Sequence, residues 1–74
     1  MYALTDVAGE HFWTGADFVP LDAEPEDLEY VLRFPKRKEA VAEAKRLRKG
    51  EDIYLRVILF PMRLLRQFGG SHTN

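Results

Sequence analysis

The residues able to do nucleophilic or acid-base chemistry in this chain are few: two histidines, one serine and no cysteine. His72 and Ser71 belong to the stretch 71–74, expected to be a disordered tail. His11 lies between Glu10 and Phe12 in a segment that reads as a strand. Its neighbours there point to the opposite face, so no nucleophile, base and orienting group assemble locally. His11 is expected to be a strand or turn histidine with no special role, and the protein to bind rather than catalyse.

The carboxylates of Asp22-Ala23-Glu24-Pro25-Glu26-Asp27-Leu28-Glu29 invite a calcium-loop reading, because hard cations need several oxygens within a short span. Such a loop needs glycine sixth and glutamate twelfth, and counted from Asp22 those places hold Asp27 and Arg33. No glycine-rich phosphate loop and no Cys/His metal spacing occurs. No metal and no cofactor is expected.

Charge is the more informative feature. The formal net charge is only -1, yet no Lys or Arg stands before residue 33, and eight of the twelve carboxylates do. Either the two halves neutralise each other across the fold, or the domain carries one acidic and one basic face. The acidic residues Asp17, Asp22, Glu24, Glu26, Asp27 and Glu29 form one candidate protein-binding surface. Trp13 joins them as an aromatic anchor: Phe12 and Trp13 are adjacent on one strand and face opposite ways, and a small core is not expected to enclose both.

The rival surface is basic. Lys36, Arg37 and Lys38 stand where a helix is expected to start, and cations oppose the positive end of the macrodipole there. The simpler explanation is that the nearby acidic loop folds back to neutralise them. The functional one is a phosphate-binding helix start in a nucleic-acid binder. Lys45, Arg48 and Lys49 extend that surface, although at a helix C-terminus they agree with the dipole.

These residues must be positioned by few elements, because 74 residues hold one domain and one core. Tyr2 to Thr5 and Glu10 to Thr14 read as a β-hairpin turning at Gly9. Phe18 to Leu21 reads as an edge strand, since Pro20 cannot donate to a central ladder. An acidic loop follows, with a helical turn starting at Pro25, and then a strand over Tyr30 to Phe34. Ala40, Val41, Ala44 and Leu47 recur at helical spacing and predict a helix over 36–49 stopped by Gly50.

The strongest strand signal is Ile53 to Phe60, with Ile53, Leu55, Val57 and Leu59 on one face and Tyr54, Arg56, Ile58 and Phe60 on the other. Both faces are largely apolar, so a second covering layer is required. The amphipathic segment 62–68 or a second copy of the chain is expected to supply it. The fold class is therefore α+β: a small antiparallel or mixed sheet of three to five strands packed by one main helix, in a single domain over residues 1–70.

Phe12-Trp13-Thr14-Gly15, followed by Leu32-Arg33-Phe34-Pro35 and Glu39-Ala40, resembles a pattern of small phage and bacterial proteins. Those carry a W-[ST]-G hairpin, then a strand ending in Phe before an E-A helix. The chain departs from the pattern at Lys36, where a Ser or Thr helix cap is usual. The resemblance implies a phage or mobile-element accessory protein, of the size class that includes inhibitors of host defence such as anti-CRISPR proteins. These act stoichiometrically on a host protein or ribonucleoprotein complex, often through acidic surfaces that compete with nucleic acid.

The expectation is a cytoplasmic, non-enzymatic protein-binding inhibitor with no membrane association. The alternatives are a nucleic-acid binder using the basic helix, and a homo-oligomeric structural module, at its simplest a homodimer.

Overall fold

The computed structural model describes residues 1–61. The segment 62–68 and the tail 71–74 lie outside the described residues. Five strands and two helices follow in the order β1 (Tyr2–Thr5), β2 (His11–Trp13), β3 (Phe18–Pro20), α1 (Pro25–Leu28), β4 (Arg33–Phe34), α2 (Arg37–Glu51) and β5 (Arg56–Leu59). Every strand pair is antiparallel.

β1 is the middle of the sheet. All four of its residues pair with β5, so that strand occupies one edge of β1 from end to end. The opposite edge is shared: Thr5 pairs with Phe12 of β2, while Tyr2 and Ala3 pair with Phe34 and Arg33 of β4. β2 and β4 therefore meet nearly end to end, joined where the Leu32 amide donates to the Trp13 carbonyl at 3.1 Å. β3 continues the sheet outward from β2 and ends in Pro20, an edge position where its missing N–H costs no ladder bond.

Alternation along the strands divides the core in two. On one face Leu4 and Trp13 pack against Ala40 and Leu47 of α2, with Leu55 and Val57 beside them. On the other face Ala3, Phe12 and Phe60 pack against Leu28 and Val31, with Leu21 and Ala23 beside them. Of the faces read from 53–60, Ile53, Leu55 and Val57 lie on the α2 side and Ile58 and Phe60 on the other, while Leu59 is exposed and Tyr54 borders the same groove as Leu55 and Val57.

The second apolar face is thus covered, among the described residues, by the segment around α1. Leu21, Ala23, Leu28 and Val31 point inward from between the carboxylates, and the three-residue step from Leu28 to Val31 is one that a turn of helix satisfies.

Local boundaries move for physical reasons. Tyr30 and Val31 are not strand: Tyr30 and Val31 amides donate to the Asp27 and Leu28 carbonyls at 3.2 Å, continuing the turn of α1, so only Arg33 and Phe34 join the sheet. Only Arg56–Leu59 of the 53–60 stretch is strand, because residues 52–55 carry the chain back from the end of α2.

Gly50 does not stop α2. The helix passes through it to Glu51, and the left-handed residue is Asp52 at φ 57°, ψ 34°. The Asp52 amide donates to the Leu47 carbonyl, and so does that of Ile53, at 3.2 Å. Ile53 then lies in the α2-side core, the apolar contact that normally accompanies such a helix end.

Candidate functional site

The acidic segment is a layer anchored on the sheet. Asp22, Glu24, Glu26, Asp27 and Glu29 are all exposed, while the apolar residues between them are anchored in the core. Among the described residues, none of these five carboxylates has a Lys, Arg or His within 4.0 Å. Glu26 and Asp27 sit in the first turn of α1, where the free amides favour negative charge.

Two members of the expected surface are elsewhere. Asp17 closes the β2–β3 turn, its carboxylate accepting a 2.9 Å bond from Thr14 Oγ1. The length of β3, about 10 Å for three extended residues, separates it from Asp22.

Trp13 is only 5% exposed. It packs on the α2 side of the sheet with Leu4 and Ala40, away from the acidic layer, with the Phe18 ring edge-on at 5.1 Å. It is not a surface anchor. Its Nε1 is buried with no hydrogen-bond partner among the described residues.

The aromatic beside the carboxylates is Tyr30, which follows Glu29 and is 74% exposed. Its β-branched and aromatic neighbourhood predicts a strand there. The signal available in the sequence was the run from Pro25, which lets one helical turn carry Leu28 and Val31 inward and thereby turns Tyr30 out.

The basic residues of α2 occupy the opposite side of the sheet, whereas Arg33 stays on the acidic side, its guanidinium 5.6 Å over the Phe60 ring and donating to the Glu29 carbonyl at 3.4 Å. Lys36 is the N-cap of α2 and makes no side-chain cap. Lys36, Arg37 and Lys38 are exposed, and among the described residues no carboxylate comes within 4.0 Å of them, so the acidic loop does not fold back onto them as ion pairs. Lys45, Arg48 and Lys49 are likewise exposed and without such partners.

Arg46 is the paired cation of the helix. It holds Glu43 through bonds of 2.9 and 2.6 Å, and this bidentate contact keeps the Glu43 carboxyl below its ordinary range. The sheet therefore lies between an acidic layer and a predominantly basic one.

His11 has a partner that strand alternation could not reveal. Asp6 Oδ2 stands 2.7 Å from His11 Nδ1, while Asp6 Oδ1 accepts the Glu10 and His11 amides at 2.8 and 3.2 Å. Partial desolvation raises the Asp6 carboxyl, but the imidazole and the two amides together outweigh it and hold the group below its ordinary value.

The signal for this pair was the turn itself. Asp6 accepts the Gly9 amide at 3.0 Å with Gly9 at φ 75°, so a five-residue separation is folded into contact. The hollow beside the imidazole, about 390 Å³, is lined by Gly9, Glu10, Pro20, Leu21 and Asp22, none of which brings a hydroxyl or amine nucleophile. Among the described residues, no three His, Asp or Glu side chains gather as a metal site. No helix among them is long and apolar enough to cross a membrane.

No protein-family model matches the chain, and neither the curated proteins nor the solved structures provide a significant match.

Proposed function

We propose that this chain is a protein-binding module that presents the layer Asp22, Glu24, Glu26, Asp27 and Glu29, with Tyr30, to a basic surface on a partner. The observation that carries the reading is the combination of five exposed carboxylates without ion-pair partners among the described residues and a backbone anchored by Leu21, Leu28 and Val31. A surface fixed in advance loses little conformational entropy on binding, and like charges held together steer a cationic partner. Tyr30 supplies the large rigid contact that the carboxylates lack.

In keeping with the phage-like pattern of its hairpin and helix, the role we assign is stoichiometric inhibition of a host protein or ribonucleoprotein complex. The layer would occupy a site that otherwise receives nucleic acid. The reading is non-enzymatic: among the described residues no hydroxyl or amine lines the hollow beside the Asp6–His11 pair, which is explained as a clasp on the β1–β2 turn.

The test is affinity capture of the tagged chain from a bacterial lysate, with and without nuclease. One stoichiometric protein should survive nuclease treatment. It should be lost in the triple variant Glu24→Lys, Glu26→Lys, Asp27→Lys and weakened about tenfold or more in Tyr30→Ala, both with unchanged circular dichroism. Unchanged capture by the triple variant overturns the reading.

The cations at the start of α2, which have no carboxylate partner among the described residues, favour nucleic-acid binding as the second reading. It predicts DNA or RNA binding that falls steeply with salt and is lost in Lys36→Glu, Arg37→Glu, Lys38→Glu.

A further inference from the structure

The outer edge of β5 has no partner strand among the described residues. The Phe60 amide donates inward to the Met1 carbonyl at 2.9 Å. Antiparallel alternation then turns the backbone groups of Ile58 and Arg56 inward too, and those of Val57 and Leu59 outward. Leu59 is 67% exposed at this edge.

Above the same edge runs one stripe of α2, formed by Val41, Ala44, Lys45 and Arg48 at the three- and four-residue spacing of a single helix face. Between this stripe and Leu55 and Val57 lies a groove of about 360 Å³, closed at the Arg56 end of β5 by Val7 and Tyr54. Its floor is apolar, two cations line it, and no carboxylate does.

We propose that this groove receives an extended, acidic segment of a partner protein, which adds to β5 as a sixth strand. The outward Val57 and Leu59 groups would supply main-chain hydrogen bonds. Alternate apolar side chains of the segment would enter the groove against Val41 and Ala44, and flanking carboxylates would meet Lys45 and Arg48. The proposal is independent of the acidic layer, which lies on the other side of the sheet.

A second copy is the poorer occupant. Two-fold pairing of β5 with itself places like faces together, so both copies would bring Lys45 and Arg48 to the same side of the joined sheet.

The probe is the peptide acetyl-Asp-Glu-Val-Thr-Val-Thr-Val-Glu-Asp-amide, titrated into the ¹⁵N-labelled full chain. Controls replace its four acids by lysine, or its central valine by proline. In the free chain the Val57 and Leu59 amides should exchange with solvent far faster than those of Ile58 and Phe60. The acidic peptide should slow Val57 and Leu59 about tenfold or more and shift Val41 and Ala44. The lysine-flanked peptide should bind about tenfold more weakly, the proline version should give no protection, and Lys45→Glu with Arg48→Glu should reverse the charge preference.

The reversals at Glu24, Glu26 and Asp27 should leave peptide binding unchanged, so failure of this proposal and failure of the acidic-layer reading are separable. Protection of Val57 and Leu59 in the free chain overturns the proposal: if independent of concentration, the chain's own residues after Pro61 hold the edge, and if dependent on it, a second copy does. Peptide binding without protection at these two amides overturns it as well.

Discussion

Replacing Gly50 by alanine should stabilise this protein, the opposite of what its place at the apparent end of a helical pattern suggests. Gly50 lies inside α2, and a Cβ built on it meets nothing within 4 Å. The substitution adds no clash and removes backbone freedom from the unfolded chain, a gain of about 0.5–1 kcal/mol. For a domain of this size that corresponds to roughly 2–8 °C in melting temperature.

The partner change is Asp52→Gly. Asp52 holds the left-handed conformation at the helix end and places a negative charge at the negative pole of the dipole. Glycine relieves both, with a gain of the same order, about 0.5–1 kcal/mol. Urea unfolding followed by the emission of the single tryptophan measures both changes, since Trp13 is buried in the core that α2 covers. A buried indole emits to the blue and moves red on unfolding. If Gly50 were the left-handed stop, alanine there would instead lose about 1 kcal/mol or more. A lowered urea midpoint for Gly50→Ala refutes the helix boundary and the argument built on it.

Two further outcomes follow from single contacts. Asp6 has a folded-state pKa below its unfolded value, so its contribution to stability is fully present above the ordinary carboxylate value of 3.8 and is lost as pH falls through the depressed folded value. Asp6→Asn should flatten this acid limb of the stability profile, and NMR titration should show the Asp6 carboxyl shifting only at lower pH than an unperturbed aspartate. Lys36→Asp supplies the side-chain cap that α2 lacks, and should raise stability by about 0.5–2 kcal/mol in the same urea assay. A loss of stability there would mean that Lys36 has a structural partner.

The sequence alone was sufficient wherever one element's own periodicity carries the information. The Ala40, Val41, Ala44, Leu47 spacing marks α2, Gly9 marks the turn between β1 and β2, and the alternation from Ile53 puts Ile53, Leu55 and Val57 on one face and Ile58 and Phe60 on the other. The α+β class and a small sheet packed by one main helix follow from these local patterns, whereas only the structure decides between an antiparallel and a mixed sheet. The segregation of charge along the chain was equally visible.

What covers each face was decided only in three dimensions, because periodicity says that a face is apolar and not which segment lies on it. Leu28 and Val31 are two residues among many carboxylates until Ala3, Phe12 and Phe60 offer them a surface. Once they dock there, Tyr30 must turn outward, while Trp13, on the other face, is enclosed by α2. The same docking places the carboxylates on one side of the sheet and the helix cations on the other. The stop of α2 moved from Gly50 to Asp52 because Ile53 had to reach the core, a requirement set by the packed sheet and not by the residue at the helix end.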